Sequence, residues 1–131
     1  MKKKREKTIN CFVYLSTEGD INGAEVREIK QLRYIREYAK AHNIIIKKVF
    51  HRDVLGQYDV NIHFMRLTRR IKNREAEGLL LANMGSISTS IRDAYDKVGI
   101  INSVGGVIIT VDEGRLTLPI KMIGGLAELR S

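Results

Sequence analysis

Tryptophan is absent from this chain, and cysteine and proline occur once each among 131 residues. A lone cysteine, Cys11, rules out an internal disulfide, and its place in an apolar run predicts a buried thiol in a reducing compartment. The three histidines, His42, His51 and His63, show no metal-ligand spacing, so no metal is expected. No apolar run approaches the roughly 18 residues of a membrane span. The N-terminus lacks the apolar core of a secretory signal, so a cytoplasmic protein with no membrane partner is expected. The glycine fingerprint of dinucleotide binding, the P-loop with its lysine and the Gly-x-Ser-x-Gly elbow are all missing. No cofactor is expected.

What is present is one domain's length of chain, 44% hydrophobic and 29% charged, enough to bury a single core. The formal charge is +8, which favours a polyanionic partner. Lys2, Lys3, Lys4, Arg5 and Lys7 against Glu6 place +4 of that in the first seven residues. Residues 1–9 therefore read as a basic flexible tail, and the remainder is only mildly basic.

Apolar periodicity then alternates between two kinds. Residues 10–15 read as a strand, followed by a helix from a cap at Asn22 to about His42, using Val26, Ile29, Leu32, Ile35 and Ala39. A β-branched run at 44–50 reads as a second strand, then a loop to Tyr58 hinged at Gly56. A second helix is expected over 60–73 with Ile62, Met65, Leu67 and Ile71 inward. The continuous apolar run 78–83 fits a strand covered on both faces. Ser86 or Ser88 is expected to cap a third helix to about Asn102, with Ile91, Ala94, Tyr95 and Val98 inward. Gly105-Gly106 leads into a fourth strand, 107–111, closed by Asp112 and Glu113. Residues 115–131, with Pro119, are expected to hold at most a short helix or strand and no DNA-binding domain. Strands separated by helices predict an α/β fold, a mostly parallel sheet of four to five strands between helical layers.

Ser16 stands just past the first strand, where α/β sheets carry their reactive groups. The turn 16–23, with Gly19 and Gly23, suits either a phosphate at a helix start or a capped turn with no ligand. On the second helix, Arg66, Arg69 and Arg70 share adjacent ridges and suit either phosphate contacts or a solvated face.

Four segments together carry a family likeness. Phe12-Val13-Tyr14-Leu15-Ser16-Thr17 is similar to a first-strand motif Tyr-x-Arg-Val-Ser-Thr. Gln31 to Ala39 follows a first-helix pattern Gln…Leu…Tyr-Ala. Asp53 and Gly56 fall on an Asp…Ser-Gly loop, and Ser86 to Asp93 on an Asp-Arg-Leu-Ser-Arg-Ser…Asp segment. In this order and spacing, over roughly residues 10–114, the chain resembles the catalytic domain of serine recombinases of the resolvase/invertase family.

The resemblance implies a nucleophilic role for Ser16, with Gln31 and Asp53 as site residues. It also implies DNA as partner, met through Arg66, Arg69, Arg70 and Arg92. Homodimerisation, or association with a full-length recombinase, follows from it too. The departures all fall on arginines: Tyr14, Asn61, Ser86 and Thr89 stand where the motifs carry them, and Gly85 replaces the motif aspartate. Guanidinium forks are what a phosphodiester under attack needs, so their loss predicts an impaired site. Arg52, Lys47, Lys48, Arg66 or Arg92 are the available substitutes. The alternatives are strand exchange through Ser16 with such relocated residues, or a phosphate- or nucleotide-binding module unrelated to DNA.

Overall fold

The structure, a computed structural model, describes residues 7–17, 23–52 and 57–118. The polar turn after Ser16, Asn22, Asp53, Gly56, Pro119 and the tail beyond it lie outside the described residues, as does most of the basic N-terminal run.

The most apolar stretches of the chain form the middle of the sheet. Strand β1 (Ile9–Leu15) pairs in parallel with β2 (Ile44–His51) on one side and β3 (Gly78–Leu81) on the other. β4 (Val107–Thr110) pairs in parallel with β3, and β5 (Gly114–Leu116) returns antiparallel, giving the order β2-β1-β3-β4-β5. β3 and β4 are buried along their whole length, which explains their unbroken aliphatic composition. In β1 the faces alternate. Cys11, Val13 and Leu15 pack with Ile35 and Ala39 of α1 (Ala24–Ala41). Phe12 and Tyr14 pack with α2 (Gln57–Lys72) and α3 (Ile91–Ser103) on the opposite side. The result is a three-layer α/β fold with a five-stranded, mostly parallel sheet.

Several helix faces are turned from the expected ones. Val26 and Ile29 on α1 are exposed, and only the later turns, with Ile35 and Ala39, reach the core. α2 begins three residues early and buries Val60, Phe64, Leu67 and Ile71, while Met65 points to solvent. The third helix is capped by neither Ser86 nor Ser88. After β3 the chain makes a short 3-10 turn, Met84–Ser86, and Ser90 Oγ accepts the Asp93 N–H at 3.1 Å as the helix cap. Ile91 and Tyr95 are exposed accordingly, and Lys97, Val98 and Ile101 face inward.

β1 and β2 do not run in uniform register. Cys11 pairs with Ile46 but Phe12 with Lys48, so Lys47 is an extra residue on the edge strand. Beyond it Tyr14 sits opposite Phe50 and Leu15 opposite His51. Leu15 O then accepts the Arg52 N–H at 3.1 Å, which carries the pairing one step past the strands.

Candidate functional site

Ser16 follows the last residue of β1 and is held at the carboxyl end of the sheet with only 7% of its surface exposed. Gln31, two turns into α1, fixes it from the backbone side. The Gln31 side-chain amide donates to Ser16 O at 3.2 Å, and its Oε1 accepts the Ser16 N–H at 3.0 Å. Two bonds to the backbone of one residue satisfy polar groups the strand no longer pairs and fix the orientation of the serine. Ser16 and Gln31, far apart in sequence, are therefore brought together. Asp53 lies outside the described residues.

Among the described residues the hydroxyl itself has one charged hydrogen-bond partner. Arg52 Nη1 donates to Ser16 Oγ at 3.2 Å. A guanidinium donating to a serine oxygen favours the alkoxide over the hydroxyl. Among the described residues no other side chain is hydrogen-bonded to Ser16 Oγ, so no described base takes its proton.

Tyr14, two residues before the serine, is a buried wall group rather than a cation. Its hydroxyl is 2.9 Å from His63 Nδ1 of α2, and the two rings meet edge to face at 5.7 Å. Asn61 does not lie in a loop before the second helix but within α2. It accepts from the buried Lys97 Nζ at 2.7 Å. The same ammonium pairs with Asp93 one helical turn earlier and lies 5.7 Å from the Phe64 ring. Lys97 was invisible as a buried group in the sequence, although the Asp93–Lys97 spacing is that of an ion pair on a helix face. Ser86 and Ser88 are buried around the 3-10 turn, Ser88 Oγ without a hydrogen-bond partner among the described residues, and Thr89 is exposed.

The four expected DNA-contacting arginines divide. Arg66 and Arg69 project from α2 into solvent, and Arg92 from the first turn of α3. Arg70 is engaged: it pairs with Glu75 at 2.7 Å and lies 5.0 Å from the Phe12 ring and 5.2 Å from that of Phe50. None of the four is hydrogen-bonded to Ser16.

The carboxylates that close β4 serve as latches. Asp112 accepts from Tyr34 Oη of α1 at 2.6 Å and from Asn83 Nδ2 at 3.1 Å, and Glu113 accepts the Met84 N–H. The Tyr34 hydroxyl is accordingly held above the usual phenol range, first by its hydrogen bond to Asp112.

No protein-family model and no curated protein sequence matches the chain. Solved structures do. One is a resolvase family site-specific recombinase from Streptococcus pneumoniae, with TM-score 0.69 and 16% identity, over 94% of this chain and 88% of that one. Another is the N-terminal catalytic domain of TP901-1 integrase, with TM-score 0.62 and 16% identity, over 95% and 96%. A third is the C-terminal catalytic domain of ISC1926 TnpA, an IS607-like serine recombinase. It aligns with TM-score 0.64 and 14% identity, over 92% of this chain and 80% of that one. At such identities it is the fold that is shared. The chain has the fold of a serine recombinase catalytic domain.

Proposed function

We propose that this chain is a resolvase-type domain that binds DNA and is impaired in cutting it. It would work in the cytoplasm as a homodimer or beside a full-length recombinase. The observation that carries the reading is the company of Ser16 among the described residues: an oriented serine with one guanidinium, Arg52, and a buried Tyr14, bonded to His63, where the motif has an arginine. Charge developing on the non-bridging oxygens of a phosphodiester is stabilised by several aligned donors, and each one lost costs on the order of 10²–10³ in rate. One remaining guanidinium supports phosphate contact far better than it supports strand cleavage.

A second reading rests on the same 3.2 Å contact. Arg52 is one of the residues available to replace the motif arginines, and it occupies a position from which it can polarise Ser16. Incubation with supercoiled plasmid separates the two. Retained DNA binding at low salt with no covalent protein–DNA adduct supports the impaired domain. A Ser16-dependent adduct, lost in Ser16→Ala and reduced roughly 10²–10³-fold in Arg52→Ala, would establish the relocated site instead. Absence of any DNA affinity would sink both.

A further inference from the structure

The edge strand β2 and helix α2 leave a hollow of about 380 Å³ between them, on the Tyr14 side of the sheet. Its floor is apolar, made by Phe50 and Leu67, and its rim carries His51, His63, Arg66 and Arg70. The three helix residues of that rim recur at spacings of three and four, so one face of α2 supplies them all. No carboxylate is among the described residues that line the hollow. Three of the rim groups are already held in place: His51 Nδ1 by Glu28 at 2.9 Å, His63 Nδ1 by the Tyr14 hydroxyl at 2.9 Å, and Arg70 by Glu75 and two phenyl rings. Arg66 is different, exposed and with no ion pair or hydrogen bond among the described residues. The residue after His51 is Arg52, whose guanidinium is on Ser16 Oγ. Donor groups therefore continue from Ser16 along the seam between β2 and α2.

We infer that this seam is a second subsite for a nucleic-acid strand, taking a nucleotide unit adjacent to the phosphodiester at Ser16. The inference rests on the DNA-binding reading above and adds the path of the strand. A bare inorganic anion uses the cationic rim but gains nothing from Phe50 and Leu67. A nucleotide places its phosphate near Arg66 and its sugar or base on the apolar floor, and so uses both.

The test uses the full chain and follows the imidazole signals of His51 and His63 by NMR, with a short single-stranded oligonucleotide as probe and inorganic phosphate as the second titrant. The expected result is a saturable shift of His63 with the oligonucleotide and none with phosphate at matched concentration. Arg66→Ala then lowers the slope of log affinity against log salt by about 0.7, the value of one single-strand phosphate contact, and Arg66→Lys restores it. An oligonucleotide that binds without moving His63, and with a slope unaffected by Arg66→Ala, overturns the subsite while leaving DNA binding intact. Equal shifts with phosphate alone make this a free-anion site and also overturn it. No oligonucleotide binding at low salt overturns the subsite and the functional reading together.

Discussion

A buried cation shows which of its contacts matter when each is removed in turn. Lys97 is 4% exposed, with Nζ on Asn61 Oδ1 and on the Asp93 carboxylate, above the Phe64 ring. Lys97→Met removes the charge and keeps the packing, and is expected to be close to neutral for stability. Asp93→Asn keeps the shape and leaves the ammonium without its counter-charge. That change is expected to cost the more of the two, by roughly 1–3 kcal/mol, because Asp93 is itself partly exposed and part-screened. Urea denaturation of the two variants reads the difference; equal losses would mean that the pair is not what holds Lys97 inside. The same residue shows why helix faces were harder to read than strands. The rule that places apolar groups inward selected Ile91 and Tyr95 and passed over a lysine that is buried because two polar partners and a ring receive it.

At the scale of elements, strands were legible because β3 and β4 are covered on both faces and carry no polar residue until Thr110. The likeness of the Ser16 and Gln31 segments to recombinase motifs was legible for a related reason, since each motif sits within one element. Their neighbour Arg52 was one name among five, because which side chain reaches Ser16 depends on how two strands align. Packing between strands also sets the tolerance of the glycines. A Cβ on Gly78 would stand 2.5 Å from Val107 O and 2.7 Å from its Cγ1, and the backbone carbonyl of a central strand has nowhere to go. Gly105 has φ +87° in the turn into β4 but open space around it. Gly105→Ala is expected to cost about 1–2 kcal/mol and still fold. Gly78→Ala is expected to cost clearly more, as overpacking in a core does. Thermal melts compare them, and a milder Gly78 variant would show that β3 and β4 separate more easily than their pairing implies.

For the molecule as a whole, the deeply buried Cys11 ties stability to alkaline pH. Burial chiefly, with the nearby Glu77 charge adding and Arg115 opposing, pushes its thiol up to about 12. In the unfolded chain a thiol ionises near 8.5. Below that value both states keep the proton, and the thiol's contribution to stability is fully present. Between roughly pH 9 and 12 the unfolded chain releases a proton that the native state retains, so stability falls as pH rises. Cys11→Ala is expected to start less stable at pH 7 but to lose less between pH 8 and pH 10 than the parent, as read from urea midpoints. Parallel losses would show that other groups govern the alkaline limb.

The extra residue at Lys47 has a consequence for how this architecture can change. Before it, β1 and β2 are offset by 35 positions, and after it by 36. The group beside Ser16 is thus chosen by chain length: with one residue more in β2 beyond the bulge, His51 rather than Arg52 would come level with the serine. The faces of every β2 side chain beyond the insertion would be exchanged as well. A point substitution changes the one side chain at this place. Insertion or loss of a single codon, in an edge strand that tolerates it, exchanges one chemistry for another while the rest of the sheet stays as it is.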